Sequence, residues 1–563
     1  MTDADGVIAD YLGFGLPGES QLARARRAAL FDALEDSTES ISLVSYSSRG
    51  LVLIIGPEPS ALLAAESLVG SMSCLILATT TSDNMSYLSV GYEKRQVAGV
   101  ELPVIPGKPK SIFGYLGNFE VIIDRGQREV GLAKVMNLAG RGIDIVLDLT
   151  RDPLLRTELL PLGYFAPAGN SLSLDQALSE IPNLIGTFEK PEYVQYNPNI
   201  CAHGERGIAG CTQCIDACPA ESLTSLAERI VVDPYLCHGM GSCVAVCPTG
   251  AITYAYPNLA RTLDSLRRLL TSFREATDKA AALLLFDSEH SGRAIEDAVG
   301  NMAADIIPWR IEKTGSAGIE IWLSALAYGA RSVMIVTPLH TPLSTLSVLE
   351  SQVKLANALL DGLGYLGDCI QLIDVEQLFK PGNLALGAPS RFFPTATYGG
   401  LDDKRVVLQF ALDHLIQNSN ANTDVVDLPN GSPFGEIVVN TDRCTLCMGC
   451  VSVCPSGAIG ADKEKPRLTF LEWNCVQCRI CERACPEDAI TLNARLLLNS
   501  EKRMQVRTVN EEISFRCIDC GNPFSTQSMV AKMEEMLRGH QMFQGDRLKA
   551  LRRCEECRLK AMF

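Results

Sequence analysis

The sequence predicts a multidomain chain of mixed α/β and α+β class: two small α/β domains, two cysteine-rich modules and a C-terminal four-cysteine segment. Three observations carry that expectation. The chain has 563 residues, enough for three or four domains. Two stretches alternate short apolar runs with helical segments, the pattern of small parallel sheets. The 21 cysteines fall mostly in C-x-x-C groupings, which in a large chain indicates metal ligation rather than a disulfide framework. At 47% apolar residues the chain can fill several cores. Its 66 acidic against 50 basic residues, net charge −16, argue against a nucleic-acid reader, which needs a basic face.

Residues 1–195 form the first unit, an α/β domain whose only cysteine is Cys74. Leu51-Val-Leu-Ile-Ile-Gly, Cys74-Leu-Ile-Leu-Ala-Thr and Ile143-Asp-Ile-Val-Leu-Asp-Leu read as buried strands, with an Ala/Leu-rich helix over 59–71. Residues 196–258 carry seven cysteines and 436–495 carry eight. Between them, 275–400 alternates again: strand 280–286, helix 318–328, strand 332–337, helix 346–360, then Cys369-Ile-Gln-Leu-Ile. The last unit, 510–563, has paired cysteines at each end and a helical middle over 529–540. Met1 is followed by an acidic stretch rather than a secretory leader, and the windows 51–79 and 321–339 are broken by Gly, Pro, Glu or Arg. Neither supplies the ~20 uninterrupted apolar residues of a spanning helix, so no membrane insertion is expected. Thiolates held for metal require a reducing compartment, which makes the cytoplasm the expected location.

The second cysteine module reads Cys444-x-x-Cys447-x-x-Cys450-x-x-x-Cys454-Pro455, then Cys475-x-x-Cys478-x-x-Cys481-x-x-x-Cys485-Pro486. Gly457-Ala-Ile and Asp488-Ala-Ile would open short strands behind the loops. Zinc knuckles need four ligands and no doubled run with proline after the fourth. The run resembles the dicluster, or eight-iron, ferredoxin family, in which three close thiolates hold one cubane while the fourth reaches across to the other. The resemblance implies two [4Fe–4S] clusters, one on Cys444, Cys447, Cys450 and Cys485, the other on Cys475, Cys478, Cys481 and Cys454.

The first module is a departing copy. It reads Cys201-x9-Cys211-x-x-Cys214-x-x-x-Cys218-Pro219, then Cys237-x5-Cys243-x-x-x-Cys247-Pro248. Ile208 stands where the first thiolate belongs, with Cys201 seven residues earlier, and Met240 stands at another ligand position. By the same crossing, Cys201, Cys211, Cys214 and Cys247 hold a third [4Fe–4S] cluster, while Cys218, Cys237 and Cys243 supply three thiolates only. A thioether is a poor iron ligand, so a [3Fe–4S] cluster is expected there; the rival is a [4Fe–4S] cluster completed by water or His238. His203 and His238 adjoin ligands and read as hydrogen-bonding neighbours. The run Cys201-Ala-His-Gly-Glu-Arg-Gly-Ile-Ala-Gly-Cys211-Thr-Gln-Cys214 behind an α/β region is similar to large bacterial polyferredoxins associated with formate dehydrogenase, which implies that partner.

Residues 303–375 are similar to the delta subunit of methyl-viologen-reducing hydrogenase, through Gly318 to Tyr328, Gly329-Ala-Arg-Ser-Val-Met-Ile-Val and Cys369-Ile-Gln-Leu. That family's domain holds a small iron–sulfur cluster and relays electrons toward a heterodisulfide reductase. Here Thr337-Pro-Leu-His340 replaces the expected cysteines and Cys369 alone holds nothing, so the resemblance implies a fold and a docking role. Gly362-x-Gly364-x-x-Gly367 matches a dinucleotide fingerprint by letter, but a helix precedes it and a strand follows, the reverse of what the fingerprint needs. It reads as a helix C-cap and turn.

In the tail, Cys517-x-x-Cys520 and Cys554-x-x-Cys557 can supply a tetrahedral site, with zinc expected and a rubredoxin-like iron as rival. His540 reads as a surface helix residue. Cys74 and Cys369 remain, in apolar contexts that suggest buried core thiols. Four clusters in one chain suit a relay of single electrons between a redox enzyme, of formate dehydrogenase or hydrogenase type, and another carrier. An acidic surface favours partners with basic docking faces. Two other readings stand beside it: a maturation factor for a molybdenum or tungsten oxidoreductase, and an enzyme with an unrecognised N-terminal cofactor. No catalytic residue is nominated.

Overall fold

The computed structural model describes residues 20–34, 42–80, 92–124, 129–138, 142–169, 172–204, 207–208, 210–299, 302–365, 367–379, 394–462, 465–544 and 546–561. The N-terminal region builds a six-stranded sheet in the order Tyr164–Phe165, Ile145–Asp148, Leu51–Pro57, Ser73–Thr80, Val100–Pro106, Glu93–Val97. All neighbours are parallel except the last pair. The continuous apolar runs arise because both faces are covered: Val52 and Ile54 enter one core, Leu53 and Ile55 the other. The helix Glu58–Leu68 makes the crossover between the two central strands. Fully buried Asp148 is satisfied by the N–H groups of Thr150 and Leu154, each at 2.9 Å, and by the Tyr164 hydroxyl at 2.5 Å.

The middle region is a four-stranded parallel sheet in the order Ile306–Ile311, Ala282–Asp287, Ser332–Thr337, Ile370–Asp374. Helices Ile319–Ala327 and Leu343–Gly362 lie where the alternation places them. After the second helix, Gly364 (φ +80°) and Gly367 (φ +91°) turn the chain into the last strand, so these glycines are a cap and turn.

Three helices outside that expected domain complete its core. Gln21–Leu34 buries Ala25, Ala29, Leu30 and Ala33 in the same cluster as Leu263, Leu266, Leu270 and Phe273 of helix Leu259–Thr277. A segment read with the N-terminal domain therefore packs on the middle one. Leu259–Thr277 has the apolar spacing of three and four that defines a buried stripe, and Asn258 caps it by accepting from the Arg261 N–H at 2.9 Å. Lys404–Gln417, capped by Asp403, buries Val407, Leu408, Ala411, Leu412 and Leu415 there. The cluster continues into Phe434, Trp473, Leu496 and Leu498 at the second cysteine module. The middle region is thus a spine that packs against both cysteine modules, through this cluster at the second and through Val348 against Ala217 and Ala245 at the first. Among the described residues, no helix is long and apolar enough to cross a membrane.

Candidate iron–sulfur centres

In the second module the spacing dictates the backbone. Leu446 (φ +53°) and Met448 (φ +60°) flank Cys447; Gln477 (φ +54°) and Arg479 (φ +65°) flank Cys478. Left-handed conformations at four non-glycine residues carry a steric cost, and such strain collects at functional loops. The short helices Gly449–Val453 and Ile480–Ala484 follow, with Cys450 and Cys481 in their first turns and Cys454 and Cys485 just past their ends. Burial, with the nearby thiols of Cys444, Cys447 and Cys485, pushes the Cys450 thiol up to about 12. Cys481 is pushed up by burial and by Cys475, Cys478 and Cys454. A cavity of about 20 Å³ lies between Cys444, Cys447, Cys450 and Cys485. The fourth cysteine of each run does face the other run's three.

The first module gathers its thiols in the same way, with two departures: Cys201 stands in for the residue at Ile208, and Met240 takes a ligand position. Burial, then Cys247, Cys211 and Cys201, raise the Cys214 thiol to about 12. Buried Cys243 is raised by its burial and then by Cys237 and Cys218. Gly239 (φ +70°) and Gly241 (φ +79°) flank Met240 with the same left-handed backbone that flanks Cys447 and Cys478, so Met240 occupies the ligand position. Both glycines are also required sterically, because a Cβ would meet the Tyr193 ring at one and the Ser316 backbone at the other. His203 bonds the Cys211 carbonyl through Nδ1 at 2.8 Å and Ser225 Oγ through Nε2 at 2.7 Å. His238 hydrogen-bonds the backbone of Leu160, and burial, helped by Lys190, lowers its pKa to about 4.

The thiol sets fit iron–sulfur cores chemically. Each gathers thiols whose ionised forms are disfavoured by burial and by one another, and a cationic iron core relieves both penalties. N–H donors aim at the sulfurs: Gly239 at Cys237 (3.4 Å), Ser222 at Cys218 (3.4 Å) and Ala489 at Cys485 (3.3 Å). Such bonds tune cluster potential. Residues 443–489 match one family model described as a 4Fe-4S dicluster domain, and residues 193–248 match another with the same description. Both cysteine modules are dicluster ferredoxin domains.

Curated relatives share only these parts. The archaeal-type glutamate synthase [NADPH] of Thermotoga maritima is 41% identical over 59 residues, 10% of this chain and 12% of that protein. The methylamine utilization ferredoxin-type protein MauM of Methylophilus methylotrophus is 29% identical over 107 residues, 16% of this chain and 45% of MauM. The uncharacterized ferredoxin-like protein YdhY of Escherichia coli K12 is 32% identical over 65 residues, 11% and 31% of the two chains. The chain therefore spans less than half the length of each of these relatives.

The two ferredoxin domains touch. Cys478 of the second lies within electrostatic reach of Cys211 of the first. Beside that pair Arg483 Nη2 donates to the Gly210 carbonyl at 3.4 Å. A Cβ on Gly210 would meet the Ala202 and His203 carbonyl oxygens at 2.1 and 2.6 Å, so its own module demands the glycine, and Ile480 Cδ1 of the second domain packs over the same spot.

The ends of the array differ in exposure. At the Cys218/Cys237/Cys243 end the N-terminal domain and the spine both close in. Lys190 Nζ donates to the carbonyls of Tyr235 (3.0 Å) and Cys237 (2.7 Å), and Tyr46 donates to the Tyr235 carbonyl at 2.6 Å. Tyr115 stacks on Tyr235 at 4.1 Å. From the spine, Ser242 Oγ bonds Thr345 Oγ1 at 2.9 Å. At the other end Cys447 is exposed. There the tail docks, with Thr526 Oγ1 donating to the Thr445 carbonyl at 2.9 Å and Lys532 paired with Glu487.

The Sγ atoms of Cys517, Cys520, Cys554 and Cys557 all lie within 4.8 Å of one another. A zinc bond length of about 2.3 Å puts tetrahedral sulfurs about 3.8 Å apart, so the four suit a single ion after slight contraction. Against the upward push of burial, N–H groups of Cys520, Cys554 and Asp519 draw the Cys517 thiol down to about 6. The intervening helix spans Gln527–Leu537, and His540 lies beyond it, capping the turn Gln541–Phe543 rather than riding on the helix. Cys74 and Cys369 are buried, each with its thiol raised to about 11 by burial. Sequence reasoning missed Lys190, Lys404 and the contact between the domains, because each works across long separations in the chain.

Proposed function

We propose that the chain is a one-electron relay whose two ferredoxin domains act as a single line of carriers. The observation that supports this most is the approach of Cys211 to Cys478. It orders four thiol sets: Cys218, Cys237 and Cys243; then Cys201, Cys211, Cys214 and Cys247; then Cys454, Cys475, Cys478 and Cys481; then Cys444, Cys447, Cys450 and Cys485. The last three would hold [4Fe–4S] clusters, each supplying a one-electron carrier. The first would hold a [3Fe–4S] cluster, a reading supported by Met240 at the vacated ligand position and by the engagement of His238 with Leu160. The relay runs from a walled-in end to exposed Cys447, where a protein partner can dock beside a zinc-stapled tail. That partner is a redox enzyme or a second carrier, with a formate dehydrogenase as the candidate its polyferredoxin resemblance suggests.

Anaerobic affinity purification from the native organism, with mass spectrometry of co-eluting chains and EPR of the reduced protein, tests the reading. A stoichiometric redox enzyme and magnetic coupling between clusters of the two domains are expected. Recovery of only an apo-enzyme or its chaperones, with uncoupled spectra, would replace the relay with a maturation role.

A further inference from the structure

The two ferredoxin domains share one neighbour that their cysteine spacing does not account for. In each, the second cysteine run opens two residues after an aromatic side chain, Tyr235 before Cys237 and Trp473 before Cys475. The carbonyl of that aromatic residue accepts from a cation supplied from outside the domain. Lys190 Nζ donates to the Tyr235 carbonyl at 3.0 Å and to that of Cys237 at 2.7 Å. Arg405 donates to the Trp473 carbonyl through Nη2, and to that of Pro433 through Nη1 at 3.1 Å. Lys190 stands on the strand Gly186–Pro191 and Arg405 on the helix Lys404–Gln417, both outside the two dicluster domains. Two unrelated elements thus deliver a cation to the equivalent point of each module.

Both cations are half-buried and sheltered by rings. Lys190 Nζ lies 5.0 Å from the centre of the Tyr46 ring; the Arg405 guanidinium lies 4.9 Å from that of Phe434 and 4.6 Å from that of Trp473. Burial opposes both charges. It pulls the Lys190 pKa down to about 8, with Cys237 and Asp233 resisting. It pulls Arg405 down to about 10, with Cys475 and Asp403 resisting and Arg503 adding to the fall. Each acid spends an oxygen on backbone N–H groups, Asp233 on Tyr235 at 2.9 Å and Asp403 on Arg405 at 2.8 Å, so each cation is only partly balanced. Arg503, by contrast, is paired with Asp413. A clamp on carbonyls needs only a donor, and a neutral amide would serve without the cost of burying a charge. What a charge alone adds is a field at the sulfurs.

We propose that Lys190 and Arg405 are paired tuning charges, each stabilising an added electron on the thiol set beside it, the Cys237 set for Lys190 and the Cys475 set for Arg405. The proposal rests on the clusters of the relay reading. Reduction adds one negative charge to a cluster, and a cation held nearby in a medium less polarisable than water favours that state. The two sets are the same half of each module. The surrounding scaffold therefore raises the potential twice, at the walled-in end and where the second domain meets the first. Arg483 also lies within reach of Cys478, but it is exposed and screened by water and salt, which leaves Arg405 the stronger charge on that set.

The test is a potentiometric titration of the full-length, cluster-loaded protein with dithionite at pH 7 under anaerobic conditions, followed by EPR. Lys190→Gln and Arg405→Gln keep a donor for the carbonyls and remove the charge. Each should disfavour reduction of one cluster by on the order of tenfold, about 59 mV for a one-electron couple. The two variants should move different clusters, and the double variant both. Lys190→Arg and Arg405→Lys keep the charge and should move the same clusters by less than half as much. Iron content is measured first, and Lys190→Met or Arg405→Met replaces a glutamine variant that loses iron. An unmoved potential in either neutral variant, charge-keeping swaps that shift it as far, or two variants that move one cluster overturns the proposal. So does a site at which both neutral variants lose iron, since that cation is then structural. Shifted clusters without magnetic coupling between the domains would support the tuning and count against the relay.

Discussion

Replacing Lys404 with Met should loosen the junction between the spine and the first ferredoxin domain more than any exposed substitution. Lys404 and Glu320 are 6% and 3% exposed, and the lysine also donates to two carbonyls in the helix Ser242–Val246, which carries Cys243. Methionine keeps the stem volume but leaves the Glu320 charge buried without its partner, a loss of about 3–5 kcal/mol for a broken buried pair. Replacing both, Lys404→Met with Glu320→Leu, removes the stranded charge and should recover most of that. Because a multidomain protein does not unfold in one step, global unfolding is a poor readout. Hydrogen exchange followed over residues 241–247 reads the junction directly. A local loss of 3–5 kcal/mol corresponds to exchange faster by about two to nearly four orders of magnitude where that opening is limiting. The single variant should show that acceleration and the double variant most of its reversal. Exchange unchanged within about fivefold in the single variant, or a double variant as loose as the single, would refute the buried-pair argument.

Three further outcomes follow from the same geometry. Met240→Cys should add one iron per chain and remove any three-iron EPR signal of the oxidised protein, since the substituted side chain falls at the position of Cys447 and Cys478. The purified chain should hold one zinc by elemental analysis; Cys520→Ser should lose it and raise hydrogen exchange over 517–557 while the iron content stays constant. Burial raises the Glu312 pKa, with Arg310 opposing and Asp287 adding to it, so the ionised carboxylate costs stability in the folded state. That cost is fully present above the folded pKa and vanishes below the unfolded value of 4.5. Glu312→Gln should therefore slow hydrogen exchange over the adjoining strand Ile306–Ile311 relative to the unsubstituted chain at neutral pH, with the advantage shrinking to nothing as the pH falls through that window.

What the sequence made legible was local. Cysteine spacing marked the two modules because a loop that wraps a cluster must repeat at fixed steps, the ferredoxin resemblance implied how the fourth cysteines cross, and Met240 was readable as a gap because it interrupts that step. The parallel sheets were readable because strands covered on both faces become continuous apolar runs, as in Leu51–Pro57 and Ala282–Asp287. The helix Gln21–Leu34 was not readable as part of the spine, since nothing in its own periodicity tells which surface receives it. Lys404 and Arg405 make the same point more sharply. They are adjacent in the chain, yet Lys404 reaches carbonyls in the first ferredoxin domain and Arg405 reaches those of Pro433 and Trp473 beside the second. One helix N-terminus thereby ties both domains at once.

That clamp gives the spine its part in electron transfer. Among the described residues, the side-chain contacts between the domains are slight: a guanidinium on one carbonyl and an isoleucine against a glycine. Contacts of that size do not hold two domains in register, because each side chain gained must outweigh the entropy of fixing it. The shared core beneath them does, since Val407, Leu408 and Leu412 bury on the same cluster as Trp473, while Lys404 reaches back to the Cys243 helix. The distance between the Cys211 and Cys478 sides is therefore set by the spine, and the contact itself is free to stay small enough for thiols to approach. A chain cut between the spine and either ferredoxin domain should keep its clusters and lose the coupling between them.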